Sequence, residues 1–311
     1  MGAVFFLAFA LFIGFIGCIL LVIGLLCLIN HKDVSIKTFI FTGICFLHTL
    51  SLIVIVSSGI FDSIKYDREY LKGNGQLNYE IYKGHEKKAI SLVENGADIN
   101  RITANGLTPL MEACSHNQKK LVEKLLEKGS DPNMFTEQQA PAIFHTYMND
   151  EITLLLIEHG ADVNARDKYG RTPLIIKCMA TNTLKLLIEN GAVINAKDDS
   201  GWTALHKACD FNPKKETVAF LIANGADLNA TTSDGDTPLM ICVKTNRYID
   251  NERKDVALSL LENKADVKMK NKDGKTFIDY LKEHLKSNEG KPDYEWSRKN
   301  ISEIMEKLPK E

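Results

Sequence analysis

The sequence has no excess of charge of either sign. Its 311 residues carry 38 basic and 40 acidic side chains, which gives a formal net charge of −2 and a pI near 6.5. A chain built mainly to bind nucleic acid carries a strongly positive field, so bulk electrostatics exclude that class. Glycine (20 residues) and proline (8 residues) are too few for a collagen-like chain. An apolar content of 45% excludes a mainly disordered one.

The sequence also lacks the short motifs of common catalytic sites. No HExxH, GxSxG, Walker-type or GxGxxG string occurs. The seven cysteines and eight histidines include no CxxC pair and no histidine cluster with metal-ligand spacing. We therefore predict that the protein is not an enzyme and that it holds neither a metal nor a cofactor.

Charge is almost absent from residues 1–61, which contain only Lys32, Asp33 and Lys37. Residues 3–29 form an uncharged run that would span roughly 40 Å as a helix, more than the ~30 Å hydrocarbon core of a bilayer. A second run covers residues 38–61, and the loop between the runs is short. The pattern predicts a transmembrane helical hairpin over 1–61, with spans at about 3–29 and 38–61, and a juxtamembrane linker over 62–77.

A cleavable signal peptide is the alternative for the first run. It would need a basic segment before a shorter apolar stretch, and no Lys or Arg precedes this run. A hairpin places both termini on one side of the membrane, and Lys65, Arg68 and Lys72 follow the second span. The positive-inside rule then favours an integral membrane protein with its C-terminal body on the cytoplasmic side. His48, alone within the second run, is interpreted as a neutral hydrogen-bonded residue rather than a proton site.

A repeat fills the remainder of the chain. The string Gly-Ala-Asp-x-Asn recurs with variation at Gly96, Gly129, Gly160, Gly191 and Gly225, and in a decayed form at Lys264. Successive copies begin 33, 31, 31, 34 and 39 residues apart. Thr-Pro-Leu or Thr-Ala-Leu follows at a fixed distance, at Thr108, Thr172, Thr203 and Thr237.

Each part of the repeat has a local physical reading. A threonine followed by proline starts a helix, because the hydroxyl caps it and proline fits the first turn. A second apolar helix follows and ends at the glycine of the string. Asp and Asn then favour a turn, which leads to a hairpin tip with another glycine. One unit cannot bury both helices alone, so the units must stack.

These features resemble the ankyrin-repeat family, and the segment Thr203-Ala204-Leu205-His206-Lys207-Ala208 is nearest to its Thr-Pro-Leu-His-x-Ala signature. The resemblance covers residues 78–311 and implies an all-α ankyrin-repeat solenoid of about 6–7 units, including divergent caps. Five fuller units begin near Leu107, Ala140, Arg171, Trp202 and Asp236.

Three departures from the family pattern stand out. The unit near Ala140 lacks both the hairpin glycine and the threonine, so its hairpin is a local irregularity or a weak point. Lys177 occupies a position that is alanine in sister units. The sixth unit carries extra residues around 247–254, which we expect to form a surface loop.

Four cysteines recur at core positions of the repeat. Cys114, Cys178 and Cys209 lie six residues after the threonine of their units, and Cys242 lies five after. Such positions favour a small buried side chain. Equivalent helices are about 8–10 Å apart and a disulfide needs Cα atoms within about 7 Å, so we predict four unpaired, buried thiols.

The family resemblance also implies a binding surface. In ankyrin proteins the hairpin tips and the exposed side of the first helix line a concave face that grips other proteins. By position, the candidate partner-binding residues are Leu107, His116, Tyr169, Arg171, Trp202, Phe211 and Asp236. Trp, Tyr and Arg are the usual interface anchors, and Trp202 between Arg171 and Asp236 is the best patch. The alternative is that Trp202 merely packs between hairpins.

The sequence thus predicts a membrane-tethered protein–protein interaction module. It would bind a protein partner as a scaffold or inhibitor, contact the lipid bilayer through residues 3–61, and bind no nucleic acid. The alternative is a regulatory subunit of a membrane transport assembly that acts through the transmembrane hairpin.

Overall fold

The computed structural model describes residues 75–147, 149–210, 213–244, 249–289 and 294–308. The predicted transmembrane hairpin over 1–61 lies outside these residues. Among the helices that are described, none is both long and apolar enough to cross a membrane. The chain divides into two compact units, 1–79 and 80–311, and the architecture below is that of the second.

The second unit is built from helix pairs, which we number as repeats 1 to 7, and the first helix of repeat 1 begins before the boundary, at Gln76. Repeat 1 contains Gln76–Tyr82 and Glu86–Glu94, and repeat 2 contains Pro109–Ser115 and Lys119–Glu127. Repeat 3 contains the 3₁₀ helix Ala142–His145 and the helix Asp150–Glu158. Repeat 4 contains Pro173–Ile176 and Thr181–Glu189. Repeat 5 contains Ala204–Asp210 and Lys215–Ala223, and repeat 6 contains Pro238–Lys244 and Asn251–Glu262. Repeat 7 contains Phe277–Asn288 and Tyr294–Glu306. First helices of consecutive repeats from 2 to 7 pack on one another, with the second helices as the other layer. The predicted all-helical solenoid is confirmed.

Threonines start the first helices, as the sequence predicts. Thr108 Oγ1 accepts a hydrogen bond from the Met111 N–H at 3.2 Å, and Thr172 Oγ1 accepts one from the Ile175 N–H at 3.4 Å. Proline follows each threonine at the first helical position. The repeated Thr-Pro pair therefore works as a cap and a pre-set first turn.

The four recurring cysteines lie in the core between these layers. All four are buried with free thiols. Burial raises the pKa of Cys178 and of Cys242 to about 12 in each case. These thiols stay protonated at neutral pH and act as small apolar side chains, which agrees with their predicted core position.

The asparagine of the repeated string links consecutive repeats. Its amide group donates to a glycine carbonyl of the next repeat, and its side-chain oxygen accepts a main-chain N–H two residues after that glycine. The donor distances are 2.8 Å for Asn133, 3.1 Å for Asn164 and 3.0 Å for Asn195. The acceptor distances are 2.7, 2.8 and 2.8 Å in the same order. The sequence predicted a turn here, but the residue also bridges two units.

Candidate functional site

The first helices of repeats 3 and 4 are unusually short. Each has four residues, against seven in repeats 2, 5 and 6. In these two repeats the interval from glycine to glycine is 31 residues rather than 33 or more. The second helices of repeats 2 to 5 all keep nine residues, so the missing length comes from the first-helix side. The two short first helices therefore leave a space on the first-helix side of repeats 3 and 4.

The hairpin of repeat 3 is also shorter than the others. In repeats 2 and 4 the hairpin closes over four residues, from the Thr103 N–H to Leu107 O and from the Asp167 N–H to Arg171 O. In repeat 3 the Thr136 N–H bonds to Gln139 O, which is three residues on. The regular hairpins need a left-handed residue such as Gly170, with φ of +71°. Gln139 stands at that position, and a side chain disfavours the conformation.

A hydrogen bond between adjacent hairpins is missing at this point. From repeat 4 onward, each hairpin pairs with the next through one main-chain bond: Asp199 N–H to Tyr169 O at 3.1 Å, Ser233 N–H to Ser200 O at 2.8 Å and Lys272 N–H to Asp234 O at 2.9 Å. The equivalent bond between hairpins 3 and 4 would join Lys168 N–H to Gln138 O. Neither group has a hydrogen-bond partner among the described residues. Between repeats 2 and 3 the equivalent main-chain bond, from the Glu137 N–H, is also absent, but Thr136 Oγ1 donates to Gly106 O at 2.8 Å and Gln139 Nε2 donates to Asn105 O at 3.1 Å. Among the described residues no hydrogen bond joins hairpins 3 and 4, so the hairpin layer is broken there.

A groove of about 350 Å³ lies at this break. Its apolar lining comes from Phe135, Phe144, Tyr169 and Ile176. Phe135 and Tyr169 are each 53% exposed, which is a large apolar area to leave open to water. Clustered exposed apolar side chains of this kind mark interaction sites.

A second groove continues from the first. It has a volume of about 280 Å³, shares Arg171 and Ile176 with the first groove, and extends to Lys207 and Asp210 of repeat 5. We call the two together the hairpin groove. It therefore runs from the hairpin of repeat 3 to the first helix of repeat 5.

The charged groups of the hairpin groove hold its aromatic wall in place. Arg171 Nε donates to Asp167 Oδ2 at 2.7 Å, and its guanidinium carbon lies 4.8 Å from the centre of the Tyr169 ring. Lys168 Nζ lies 5.2 Å from the same centre. Burial raises the pKa of Asp167, but the hydrogen bonds from Arg171 and from the Tyr169 N–H outweigh it and lower that pKa overall. Asp167 is thus an ionised anchor that fixes Arg171 beside Tyr169.

Trp202 of repeat 5 has its own cation. Lys207 Nζ lies 3.9 Å from the Trp202 ring centre, and the indole is half-buried. Lys207 makes no ion pair with any residue that the structure describes. Because Lys207 lines the second part of the hairpin groove, Trp202 lies immediately beside the groove.

Asp236 is buried. Only 2% of it is exposed, and its carboxylate accepts hydrogen bonds from Lys244 Nζ and, at 2.8 Å, from Asn271 Nδ2. Position in the repeat placed Asp236 at a hairpin end, but the side chain points inward toward repeat 7. Its charge is used inside the domain, which removes Asp236 from the candidate surface.

The remaining candidates do not join the hairpin groove. Leu107 is half-buried and His116 is exposed, and both belong to repeat 2. The His116 Nδ1–H donates to Glu112 O at 2.9 Å. Phe211 lies outside the described residues. Of the predicted set, the structure brings Tyr169 and Arg171 together and places Trp202 beside them.

Sequence reasoning missed Phe135, Phe144 and Ile176, which form the apolar part of the groove. The signal was present in the two successive 31-residue intervals. Because repeats 3 and 4 are each shorter than their neighbours, the space that they leave lies between the two repeats.

Comparison with known families gives a match over much of the chain. A family model described as ankyrin repeats (3 copies) matches residues 52–136 and 177–271, more than half of the sequence. The chain belongs to the ankyrin-repeat family. The first matched stretch begins within the second predicted span. The unmatched interval 137–176 covers most of the irregular hairpin and the short helices of repeats 3 and 4.

The similar proteins support the same classification. Rabankyrin-5 is 39% identical over 69 residues in Homo sapiens and 36% identical over 73 residues in Mus musculus, which is 22% and 24% of this chain. The match spans only 6% of the length of either relative. The human ASB11 ankyrin repeat domain superposes with a TM-score of 0.61 at 20% identity, covering 76% of this chain and 98% of that one. The Bcl-3 ankyrin repeat domain gives 0.57 at 22% identity, with coverages of 67% and 94%.

Membership in this family defines the class of protein. Ankyrin repeats are protein–protein interaction modules and are typically not enzymes. The repeat domain is therefore a module that binds protein partners.

Proposed function

We propose that this chain is a membrane-tethered interaction module that binds a partner protein along the hairpin groove. The observation that carries the proposal is the break between hairpins 3 and 4, where Phe135 and Tyr169 stand exposed beside the fixed Arg171. Aromatic residues and arginine dominate the energetics of protein interfaces. A rigid aromatic–arginine wall loses little conformational entropy when a partner binds.

The tether is the sequence-based part of the proposal. Two uncharged runs over 3–29 and 38–61 support an integral membrane protein. Lys65, Arg68 and Lys72, which follow the second run, favour a repeat domain on the cytoplasmic side. Holding the domain at a membrane raises its effective concentration toward a partner on the same surface. The protein would then act as a scaffold or as an inhibitor, by concentrating its partner or covering part of it.

The binding test compares the intact chain with a triple variant, Tyr169→Ala, Arg171→Ala and Trp202→Ala. Both are crosslinked in native membranes and their partners are captured and identified. A matched variant carries alanine at Val193, Leu154 and Ile102, which are also exposed but lie outside the groove. We expect one partner to be lost only from the groove variant, with equal thermal stability of all three proteins. An unchanged set of partners would refute recognition at this surface.

The tether has a separate test. Alkaline extraction of membranes should leave the full chain in the pellet and release a variant that lacks residues 1–61. Exchanging 1–61 for an unrelated membrane anchor should preserve partner capture. Loss of partner capture after that exchange, with the groove intact, would favour a transport-assembly subunit that acts through the transmembrane hairpin.

A further inference from the structure

Gln138 and Lys168, whose main-chain groups would form the missing bond between hairpins 3 and 4, both line the groove. The Lys168 N–H and the Gln138 C=O would pair with each other in a regular stack, and here neither has a partner among the described residues. The corresponding N–H groups of Asp199, Ser233 and Lys272 are all bonded to the preceding hairpin. A donor on the repeat 4 side and an acceptor on the repeat 3 side match the two edges of an extended peptide.

We infer that the break between hairpins 3 and 4 is a docking site for an extended segment of the partner protein. The segment places one apolar side chain between Phe135 and Tyr169 and pairs its main chain with the Lys168 N–H and the Gln138 C=O. This inference rests on the proposed function, since it names the part of the partner that the groove receives.

The apolar half of the site fits one large side chain. Phe135 belongs to the hairpin of repeat 3 and Tyr169 to that of repeat 4, so the two exposed rings flank the break. Phe144 and Ile176, from the two shortened helices, line the same groove of about 350 Å³. An aliphatic or aromatic side chain there would cover apolar area on both walls, and an aromatic one would also gain ring–ring contact.

The charges give the segment a direction. Glu137 stands on the repeat 3 side and makes no ion pair with the described residues, whereas Lys168 on the repeat 4 side has no carboxylate partner. The charge of Asp167 is already matched by Arg171, and Asp210 lies at the far end of the groove. An acidic residue next to the apolar one should therefore lie toward Lys168, away from Glu137.

The experiment selects linear peptides from a random phage-displayed library on the full chain. We expect a consensus with one large apolar residue followed or preceded by Asp or Glu. For a selected synthetic peptide, Phe135→Ala and Tyr169→Ala should each weaken binding about tenfold, as central contacts do. Lys168→Glu should weaken binding, whereas Lys272→Glu, at the same hairpin position in repeat 7, should not.

A scan of N-methyl groups along the peptide tests the main-chain pairing. Methylation of the residue that donates to Gln138 C=O should lower affinity about tenfold, because it removes one hydrogen bond and crowds the acceptor. Methylation at the adjacent residues should have a much smaller effect. The peptide should also displace the crosslinked partner from the intact chain.

Three results would overturn the inference: no selected peptide, undiminished binding to both alanine variants, or a flat N-methyl scan. Its failure can be told from that of the proposed function. If the triple groove variant still loses its membrane partner while the N-methyl scan is flat, the groove binds a folded surface. If the triple variant keeps its partner, the proposed function fails first.

Discussion

Replacing Lys177 should remove a pH dependence that this buried ammonium imposes on the stability of the domain. Lys177 is 5% exposed, and its Nζ donates to Thr146 Oγ1 at 2.9 Å and to Tyr147 O at 2.6 Å. Burial lowers its pKa from 10.5 to about 8, and the nearby Cys114 and Asp150 oppose that shift only partly. The ammonium also contributes to lowering the pKa of His145, although burial of that ring is the larger cause.

The sign follows from proton counting. Below pH 8 the lysine is protonated in both states, so the folded domain bears the full cost of burying the charge. Between pH 8 and 10.5 the unfolded chain holds a proton that the folded chain has lost, and stability rises with pH. At about 1.4 kcal/mol per pKa unit, the whole gain is about 3 kcal/mol.

The assay is urea unfolding of the intact chain and of Lys177→Met, each at pH 7 and at pH 10.5. Methionine has a similar length and does not titrate. The cysteines ionise at high pH in the unfolded chain but not in the folded domain, where burial raises their pKa, so both proteins lose stability. This loss is the same in the two proteins and cancels in the comparison. The intact chain should gain about 3 kcal/mol relative to Lys177→Met between the two pH values.

The control is Lys185→Met, whose side chain is 62% exposed. This variant should follow the intact chain at both pH values. If Lys177→Met and the intact chain instead change by the same amount, the ammonium is not desolvated in the way the structure implies.

Three further predictions follow from the repeat geometry. Asn164→Ala removes both bridging hydrogen bonds and should lower the free energy of unfolding by about 1–2 kcal/mol in urea titration; no loss would mean that water replaces them fully. Gly170→Ala and Gly191→Ala both place a side chain at positive φ, but only the first brings its Cβ against Asp199, so Gly170→Ala should reduce the Tm more. The four buried thiols of the domain should resist alkylation at neutral pH until denaturant is added, as followed by mass spectrometry of each cysteine; labelling in the folded protein would contradict their burial.

The fold could be predicted from the sequence because the signals are local and repeated in phase. Thr108 and Thr172 mark helix starts by their own hydrogen bonds, and no long-range information is needed to see that. Stacking then follows, because a single helix pair leaves its apolar face exposed.

The candidate site could be predicted only in part. Position in the repeat predicts which side Tyr169 and Arg171 face, and the structure places both in the groove lining, while their role in binding stays a prediction. Asp236 was misplaced, since position does not tell whether a short carboxylate turns inward to Asn271. Glutamine in place of glycine at position 139 predicts an irregular hairpin. The absence of a hydrogen bond to the next hairpin depends on how two hairpins stack, which the local sequence does not specify.

The gap between repeats 3 and 4 also bears on how the domain comes apart. In a linear stack, stability is a sum of unit terms and nearest-neighbour terms, and the weakest neighbour term sets where cooperativity divides. This junction lacks the main-chain bond between hairpins. It retains the hydrogen bond from Asn133 Nδ2 to Gly160 O and the one from the buried Lys177 Nζ to Thr146 Oγ1. Hydrogen exchange should therefore report two blocks, one ending with repeat 3 and one beginning with repeat 4, that open with different free energies. A partner strand seated in the gap would join the blocks into one cooperative unit.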